Sequence, residues 1–502
     1  MDNAFRSRLP LVDDSVCVAH RRMFTLINTN RMLPPIAPIG LDYLADAVRA
    51  AGREVELIDL CLADDPRAAL ESYFTTRQPD VVGLSFRNVD DCFWPSAQSF
   101  LPMLREDVQQ VRRLTDAPIV LGGVGYSMFA RQLVEYTDAD FGIHGDGEQA
   151  LPALADQLAG GQRWERVPGL VYRENGALRA NRPAWPSDLA LPARRALVDN
   201  AVYFRQGGQI GVETKRGCRR RCLYCADPIA KGPSVRLRDP AHVADEVELL
   251  AAQGIDVLHL CDAEFNLPLE HARDVCDALI QRGLGNRVRW YAYLAVSPFP
   301  ADLARQMQRA GCVGIDFTAD SADPAMLVTY RHGHREKDLA DAVRLCREHG
   351  MAVMLDMLLG GPGESPESVA RTIESFKRLD PDCAGAALGI RIYPGTPLAS
   401  LVRTEGPLDS NPNIRRRYPG PVDWMRPTFY ISAALGDRPE RLVRELIGGD
   451  PRFFGPADPP SAPSGNARDD HNYNDNRLLI EAILGGARGA YWDILRQLRC
   501  AR

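Results

Sequence analysis

Two long stretches of the sequence alternate short apolar segments with helical patterns, and this alternation limits the possible folds more than any other feature. In residues 22–145 the apolar segments predict five strands, at Met23–Asn28, Glu54–Leu60, Val81–Phe86, Pro118–Gly123 and Phe141–Gly145. Helical periodicity lies between them, at Gly40–Ala51, Arg67–Phe74 and Phe100–Thr115. Such alternation is typical of an α/β fold with a doubly wound parallel sheet, whose ligands bind beyond the carboxyl ends of the strands.

The alternation resumes in residues 208–394, where the pattern predicts six more strands, at Gln209–Lys215, Val257–Cys261, Val288–Tyr293, Val313–Thr318, Val353–Leu359 and Ala386–Ile392. Six strand–helix repeats indicate a partial (β/α)6 barrel, which places an active site at the carboxyl ends of its strands. The remaining sequence is richer in Gly and Pro. It includes a hairpin signal at Asn175-Gly176, a polar insert at Pro456–Asp470 and a final amphipathic helix at Arg477–Leu498.

These patterns divide the chain into four parts. We expect a first domain at 1–160, a linker at 161–205, a barrel at 206–400 and a mostly helical C-terminal segment at 401–502. The balance of 60 Lys and Arg against 66 Asp and Glu leaves no basic excess for nucleic-acid binding. The sequence has no apolar run of membrane-spanning length and no signal peptide, so we expect a cytoplasmic enzyme with no membrane partner.

Three of the 12 cysteines are clustered on one predicted loop, as Gly217-Cys218-Arg-Arg-Arg-Cys222-Leu-Tyr-Cys225. Three thiolates on one short loop suit a [4Fe–4S] cluster with one iron left open. Zinc normally takes four closed ligands, and no nearby His or Cys completes such a set. The three arginines between the first two cysteines would help to offset the negative charge of a cluster.

The cysteine spacing, the aromatic Tyr224 and the preceding strand resemble the radical S-adenosylmethionine (SAM) superfamily. The resemblance covers about residues 205–400 and implies that Cys218, Cys222 and Cys225 hold the cluster and that its open iron binds SAM. Four further motifs end predicted strands in the order of that superfamily: Leu260–Asn266, Gly314–Ser321, Leu359–Glu364 and Gly389–Thr396.

The resemblance also implies roles for single residues in these motifs. Glu264 would be catalytic, and the residues around SAM would be Tyr224, Ser321, Glu364 and Arg391. Each motif alone is weak, because a Gly-rich turn or an isolated carboxylate is common in any protein. Their order, each at a strand end where barrel active sites lie, supports the interpretation.

A doubly wound domain before such a barrel resembles the cobalamin-dependent radical SAM methyltransferases. This resemblance implies cobalamin contacts at or beyond strand ends, at Ser85, Gly122, Gly123, Gly145 and Glu148. A dinucleotide-binding domain is the alternative, but no G-x-G-x-x-G motif follows the first strand.

Arg87 distinguishes this sequence from many cobalamin-binding domains. Those domains often carry a D-x-H-x-x-G motif whose His ligates cobalt, and this sequence lacks it. A guanidinium is a poor metal ligand, so Arg87 placed under cobalt would block coordination from below. This pattern resembles the tryptophan 2-C-methyltransferases of thiopeptide biosynthesis. An ion pair of Arg87 with Asp90 or Asp91 is an equal alternative.

The resemblance implies transfer of a methyl group from SAM, via methylcobalamin, to a carbon of a small molecule or peptide, such as the indole of tryptophan in natural product biosynthesis. A radical route through a deoxyadenosyl radical and a polar route by attack of an electron-rich aromatic carbon both stay open. Arg87 beneath cobalt would favour the polar route.

A non-methylating rearrangement or cyclisation is the alternative activity. A cobalamin sensor is disfavoured, since a sensor needs no cluster. An electron donor such as flavodoxin or ferredoxin is the expected partner.

The C-terminal segment carries dense Asn, Tyr and Trp in two places. These are His471–Asn476 and the Tyr491-Trp492 pair. Such residues are typical of a polar, aromatic substrate pocket. An Asn or Asp that caps the last helix, with Tyr491 and Trp492 in the core, is an equal alternative.

Overall fold

The computed structural model describes residues 22–187, 189–191, 193–456 and 472–500. Its first sheet has seven strands in the order β2-β1-β3-β4-β5-β6-β7. The strands are β1 Met23–Asn28, β2 Glu54–Asp59, β3 Val81–Ser85, β4 Ile119–Gly122, β5 Phe141–Ile143, β6 Leu170–Glu174 and β7 Ala177–Ala180. The helices around this sheet are α1 Ile39–Ala50, α2 Pro66–Thr76, α3 Leu101–Leu114, α4 Val124–Met128, α5 Ala130–Thr137 and α6 Gly147–Ala159.

The first sheet reverses its strand order between β1 and β3. These two strands pair in parallel up to their carboxyl ends, where Asn28 is the partner of Ser85. Apolar cores cover both faces of the sheet, one including Leu104 and Leu133 and the other including Leu41 and Leu151. The reversal leaves a crevice at the carboxyl ends of β1 and β3, which is where doubly wound sheets bind ligands.

The second sheet also has seven strands, all parallel, in the order β8-β11-β12-β13-β14-β15-β19. They are β8 Ile210–Val212, β11 Val257–Leu260, β12 Arg289–Leu294, β13 Cys312–Asp320, β14 Ala352–Leu359, β15 Cys383–Leu388 and β19 Phe453–Phe454. Two small antiparallel sheets accompany it, formed by β9 Lys215–Arg216 with β10 Arg236–Leu237, and by β16 Ile390–Arg391, β17 Ile414–Arg416 and β18 Thr428–Tyr430.

Helices follow most strands of the barrel. They are α7 Asn200–Gly207, α8 Asp227–Lys231, α9 Pro240–Ala252, α10 Leu269–Gln281, α11 Ala301–Arg309, α12 Pro324–Tyr330, α13 Glu336–Glu348, α14 Pro366–Leu379, α15 Pro397–Thr404, α16 Pro439–Ile447, α17 Arg477–Leu484 and α18 Tyr491–Cys500. In the described part of the chain, no helix has the length and apolar composition needed to cross a membrane.

The predicted α/β fold class and the hairpin predicted around Asn175-Gly176 are confirmed. This hairpin, formed by β6 and β7, lies in the predicted linker and pairs antiparallel with β5, so it extends the first sheet. Two details differ from the sequence predictions. A seventh barrel strand, Phe453–Phe454, lies beside β15. The single final helix predicted at Arg477–Leu498 is wrong, because the Gly485-Gly486 pair ends α17 and a second helix starts at Tyr491.

A buried ion network joins the first domain to the barrel. The Arg195 guanidinium donates to Asp42 on α1 at 3.0 Å and to Glu246 on α9 at 2.7 Å. The side chains of all three residues are fully buried. Because breaking one partner would leave an unpaired buried charge, this network fixes the two sheets relative to each other.

Candidate functional site

The three clustered cysteines lie on the loop after β9, at the carboxyl end of the first barrel strands. Gly217, at φ +86°, starts the loop, and a Cβ there would lie 2.1 Å from the carbonyl oxygen of Ser234. The loop is held by the Cys218 amide, which donates to Gly232 at 3.2 Å, and by the Cys225 amide, which donates to Cys222 at 3.3 Å. The three thiols lie near one another, since the charges of Cys218 and Cys222 both act on Cys225.

Burial raises the pKa of Cys222 to about 11 and raises the pKa of Cys218 and Cys225 as well. Neighbouring negative charges raise these pKa values further, and for Cys218 and Cys222 they include the charge of Glu264. Only a strong cation would deprotonate these thiols in such surroundings, and iron does so when it binds thiolate. A [4Fe–4S] cluster holds its thiolates farther apart than a single metal ion does. Among the described residues, no group of three or more His, Cys, Asp or Glu side chains is arranged to hold a single metal ion.

Tyr224, within the loop, hydrogen-bonds through its hydroxyl to the Asp320 carboxylate. The same carboxylate oxygen lies 2.5 Å from Nε2 of His332. The Tyr224 ring packs edge-on against Tyr330, with the ring centroids 6.0 Å apart. Tyr224 thus connects the cysteine loop to the carboxyl end of β13.

Glu264 lies in the loop after β11 and is 9% exposed. Its Oε1 accepts a hydrogen bond from the Thr318 hydroxyl at 2.8 Å and lies 3.7 Å from Arg220 of the cysteine loop. Its Oε2 has no hydrogen-bond partner among the described residues. Burial raises the pKa of Glu264 to about 7. The structure therefore brings Glu264 together with the cysteine loop, as the sequence predicted, and leaves one oxygen for a ligand.

Glu364 and Ser321 mainly stabilise the chain around them. Glu364 accepts hydrogen bonds from the amides of Gly360 and Gly361, at 2.6 and 3.1 Å, and so holds the Gly-rich turn after β14. The Ser321 hydroxyl lies 2.9 Å from that of Thr372 and is fully buried. The contacts of Glu364 and Ser321 to SAM stay predictions. Glu364 would act on SAM through the Gly-rich turn that it holds.

Arg391 and Glu148 both lie at the boundary between the two domains. Arg391 donates to Asp90 of the first domain, and Glu148 accepts from Arg216 of β9 at 3.0 Å. Arg216 also binds Glu213, at 2.8 Å. Both residues were predicted to contact cofactors, and in the structure both hold the first domain against the barrel.

The glycines and Ser85 of the first domain lie at the carboxyl edge of its sheet. Ser85 and Gly122 pair across β3 and β4. A Cβ on Gly122 would have no atom within 4 Å, whereas a Cβ on Gly123 would lie 2.6 Å from the carbonyl oxygen of Phe86. The Gly145 amide donates to the Ser127 hydroxyl at 3.1 Å. Open space thus borders Gly122, while Gly123 packs against its own domain.

Arg87 lies where the two domains and the C-terminal segment meet. Burial raises the pKa values of Cys61, Cys261, Tyr293 and Tyr491, and the positive charge of Arg87 opposes each of these rises. Cys61 belongs to the first domain, Cys261 and Tyr293 to the barrel and Tyr491 to α18. A single guanidinium is therefore near side chains from all three parts of the chain.

The two acids that follow Arg87 have other partners. Asp90 binds Arg391 through Nε at 2.8 Å, and Asp91 accepts from the Ser96 hydroxyl and from the amide of Gln98. Among the described residues, neither acid forms an ion pair with Arg87. The alternative in which Asp90 or Asp91 neutralises Arg87 is therefore not what the structure shows.

A small cavity with polar lining lies beside Arg87. Its volume is about 100 Å³, and it is lined by Thr29–Met32, Phe86–Asn88 and Asn474 among others. Asn30 Nδ2 and Arg31 Nε are buried at this cavity without a hydrogen-bond partner among the described residues. Buried donors are normally satisfied, and the amide-bearing edge of a corrin offers many carbonyl acceptors. These donors suit the amide-bearing edge of cobalamin, and the cavity has room for a part of that edge.

Sequence reasoning missed a set of polar and aromatic side chains inside the barrel. Asp316 on β13, Asp356 on β14 and Tyr293 on β12 face the lumen, with Tyr473 from the C-terminal segment. The sequence signal for this set is one Asp in the middle of each of β13 and β14, whose neighbouring residues are mostly apolar. Strands of parallel sheets are covered on both faces, so an acid there needs a special partner or a role.

The C-terminal segment contributes both to the core and to the site. Asn476 caps α17 by accepting from the Leu479 amide at 3.1 Å, and Trp492 packs edge-on against Tyr291. Asn472 instead faces the region between the domains, where it donates to Asp91 at 3.4 Å, and Tyr473 lies in the barrel lumen near Asp316 and Asp356. The insert at 457–471, including His471, lies outside the described residues.

Comparison with known proteins matches two family models. Residues 27–155 match the B12 binding domain, and residues 212–376 match the radical SAM superfamily. Among curated proteins, the tryptophan 2-C-methyltransferase of Streptomyces laurentii is 31% identical, over 93% of this chain and 94% of its own length.

Solved structures give the same picture over nearly the whole chain. The methyltransferase TsrM from Kitasatospora setae, with tryptophan substrate and the SAM analogue aza-SAM bound, superposes with a TM-score of 0.89 and 32% identity. That match covers 96% of this chain and 99% of the other. A second structure of TsrM, with cobalamin and a [4Fe–4S] cluster bound, gives a TM-score of 0.85 at 30% identity and the same coverage.

Proposed function

The chain belongs to the cobalamin-dependent radical SAM methyltransferases, and on that premise we propose that it methylates a carbon of an aromatic amino acid, with the indole of tryptophan as the first candidate. It is a C-methyltransferase that uses SAM, cobalamin and a [4Fe–4S] cluster. The observation that supports the substrate proposal is the lumen of the barrel, where Tyr293 and Tyr473 lie near the acids Asp316 and Asp356.

Each part of the site has a defined task in this proposal. The thiols of Cys218, Cys222 and Cys225 would hold the cluster, and the cavity beside Arg87 would hold the edge of cobalamin. When bound, the cluster would bind SAM through its open iron, and cobalamin would carry the methyl group of SAM. Glu264 Oε2, which has no partner among the described residues, can accept a hydrogen bond from a ligand next to the cysteine loop.

Arg87 is the proposed positioning residue for bound cobalamin, because it lines the cavity at the carboxyl edge of the first sheet. A guanidinium has no lone pair to donate, so Arg87 would not serve as a metal ligand. Such a neighbour would favour the polar route of methyl transfer over the radical route. The absence of an ion pair to Asp90 or Asp91, among the described residues, leaves the guanidinium available for this position.

The expected setting is a reduced, cytoplasmic one, with an electron donor of the flavodoxin or ferredoxin type. Buried thiols with raised pKa values, such as Cys222, stay reduced in that setting and are ready for iron. A donor protein is needed because the chain's own residues supply no reducing electrons.

Anaerobic reconstitution tests the proposal. The purified chain is loaded with iron, sulfide and cobalamin, then given SAM and tryptophan, and the product is analysed by mass spectrometry. A mass gain of one CH2 unit supports methylation, whereas a product of unchanged mass or one that has lost hydrogen favours the rival rearrangement or cyclisation. In the same experiment, S-adenosylhomocysteine without matching 5′-deoxyadenosine supports the polar route, and equal deoxyadenosine and product contradict it.

A further inference from the structure

Asp320 is a buried carboxylate at the end of β13 that contacts two side chains through one oxygen atom. Its Oδ2 accepts a hydrogen bond from the Tyr224 hydroxyl of the cysteine loop and lies 2.5 Å from Nε2 of His332. Asp320 is 6% exposed, and the His332 ring is buried as well. Burial of a carboxylate is costly unless donors satisfy it, so these two contacts stabilise its position. Asp320 thus joins the cysteine loop to the chain that follows α12.

The backbone at Asp320 has a strained conformation. Its φ is +58°, in the left-handed region that residues other than Gly enter at a cost. The pairing of β13 with β14 also shifts its register between Thr318 and Asp320. An irregularity of this kind changes the direction of a side chain at a strand end. Because strained conformations concentrate at functional sites, this one points to a role for the Asp320 side chain beyond packing.

His332 supports the Asp320 carboxylate from a fixed position. The His332 amide donates to the carbonyl oxygen of Leu327 on α12 at 2.9 Å, so its backbone is tied to that helix. Its ring lies 5.4 Å from the ring of His334, which is also buried. A residue that is anchored in this way limits the movement of the side chain that it contacts. The Asp320 oxygen is therefore held in one place for the Tyr224 hydroxyl.

Tyr330, the last residue of α12, contacts the same loop and is fully buried. Its ring packs edge-on against Tyr224, and its carbonyl oxygen accepts from the Leu223 amide at 3.3 Å. Its hydroxyl donates to the carbonyl oxygen of Leu358 at 2.7 Å and lies 3.2 Å from Oε2 of Glu364. Tyr330 therefore connects the cysteine loop to the Gly-rich turn after β14.

The Gly-rich turn is shaped around Tyr330. A Cβ on Gly361 would lie 2.4 Å from the Tyr330 hydroxyl oxygen, so a larger residue there would displace the buried ring. Glu364 holds the same turn by accepting from the Gly360 and Gly361 amides. The cysteine loop and this turn are both segments that the resemblance to radical SAM enzymes assigns to SAM. The contact between Tyr224 and Tyr330 links them directly.

We propose that Asp320 is a positioning residue for SAM, which holds the Tyr224 ring in the orientation that contacts bound SAM, with His332 and Tyr330 as its supports. This inference rests on the proposed function, because it takes Tyr224 to be a SAM contact. Asp320 acts through the Tyr224 hydroxyl and not on the reacting atoms. A ring that is held in advance loses little conformational freedom when a ligand packs on it, so Asp320 increases the affinity for SAM.

Equilibrium binding of SAM tests this role through a double-mutant cycle. Labelled SAM is dialysed against the reconstituted holoenzyme without reductant or substrate, so that no methyl group is transferred. Tyr224→Phe keeps the ring and removes the hydroxyl, and Asp320→Ala removes the acceptor. We expect each variant to raise the Kd for SAM by about 10-fold, since each removes a hydrogen bond to a charged group. The double variant should bind SAM no more weakly than either single variant, because both changes remove the same contact.

Losses that multiply to about 100-fold in the double variant would overturn the inference, because Asp320 would then act independently of Tyr224. Asp320→Asn provides the conservative rescue. Asn keeps an acceptor oxygen and tolerates the left-handed backbone, so this variant should recover most of the affinity that Asp320→Ala loses. Iron content should equal that of wild type in all these variants. Loss of iron from Asp320→Asn would contradict a role in SAM binding and assign Asp320 to the cluster loop.

Asp323→Asn is the matched control. Asp323 is a buried acid of the same segment that caps α12 by accepting from the Ala325 amide at 2.9 Å and pairs with Arg371 at 2.6 Å. We expect this variant to be less stable than wild type and to bind SAM with wild-type affinity. An equal loss of SAM affinity in Asp323→Asn would contradict the inference, because any loosening of this segment would then have the same effect.

Kinetics separate the inference from the proposed function. With tryptophan as substrate, Tyr224→Phe should raise the KM for SAM by about 10-fold and change kcat much less. Weaker SAM binding in Tyr224→Phe and Asp320→Ala, with no tryptophan methylation by wild type, would support the inference and contradict the substrate proposal. Tryptophan methylation by wild type, with unchanged SAM affinity in both variants, would support the function and contradict the inference.

Discussion

The Arg391 guanidinium, on the barrel side of the molecule, donates through Nε to Oδ2 of Asp90 in the first domain, across 2.8 Å. Arg391 is 6% exposed, and Asp90 is fully buried. Arg391 also donates to the carbonyl oxygens of Ile392, at 2.7 Å, and Trp424, at 2.8 Å. The pair therefore ties the loop that carries Arg87 to the small sheet beside the barrel.

Replacing Arg391 with Leu should destabilise the folded protein by about 3–5 kcal/mol, because it leaves Asp90 buried without its partner. Chemical denaturation of the purified protein measures this change. The control is Arg441→Leu, which removes an exposed i,i+4 pair with Glu445 and should cost at most about 0.5 kcal/mol. An Arg391→Leu protein with wild-type stability but weakened SAM binding would instead support the cofactor contact predicted from sequence.

Replacing Cys218, Cys222 and Cys225 together with Ala should abolish iron–sulfur absorbance and reduce bound iron to background after reconstitution. Cobalamin binding should persist, since the cavity proposed for it is lined mostly by residues of the first domain and by none of the cysteines. Cys346→Ala is a suitable control, because that thiol is fully buried in the barrel core and should not affect iron content. Retention of four irons by the triple variant would contradict the assignment of these ligands.

Gly122→Trp should abolish cobalamin binding by filling the space beside the sheet edge, and the backbone admits a side chain here because no atom lies within 4 Å of a Cβ. Visible absorbance of bound cobalamin and the iron content measure the two sites separately. Gly123 is not equivalent, because its φ is +103° and a Cβ there would lie 2.6 Å from a backbone oxygen. We therefore expect Gly123→Ala to lower the free energy of unfolding by about 1–3 kcal/mol, and a Gly122→Trp protein that binds cobalamin normally would contradict the placement of the cofactor.

The pH dependence of stability should report Glu364. Burial raises its pKa from 4.5 to about 7, so the folded state holds a proton that the unfolded state has already released. Stability then falls as pH rises through this window, by about 2–3 kcal/mol for this group. Thermal unfolding of wild type and Glu364→Gln across the window measures the difference. The stability of the variant relative to wild type should grow with pH, and a constant difference would contradict the raised pKa.

Much of the fold could be predicted from the sequence because apolar periodicity determines it locally. The strand at Met23–Asn28 is confirmed at both ends, and the barrel strands follow the predicted alternation. The two-residue strand Phe453–Phe454 was not predicted because it is too short to show an apolar periodicity. The break between α17 and α18 at Gly485-Gly486 was not predicted because the apolar pattern continues on both sides of it.

The candidate site was predictable only where residues close in sequence act together. The cysteine loop is local, so spacing alone indicated it. Arg391 and Asp90 are far apart in the chain, and no local pattern shows that one will bind the other. The same is true of Asp316 and Asp356, which only the register of β13 and β14 brings together. Partners of buried charges therefore depend on tertiary contacts that composition and periodicity do not carry.

Transfer of a labelled methyl group tests the central claim most directly. The reconstituted enzyme is given SAM with a deuterated methyl group and tryptophan, with and without cobalamin, and the product is examined by mass spectrometry and NMR. The account predicts that the intact labelled methyl group appears on a carbon of the substrate only when cobalamin is bound. Methylation at a nitrogen or oxygen, equal methylation without cobalamin, or no methyl transfer by protein that holds both cofactors would contradict it.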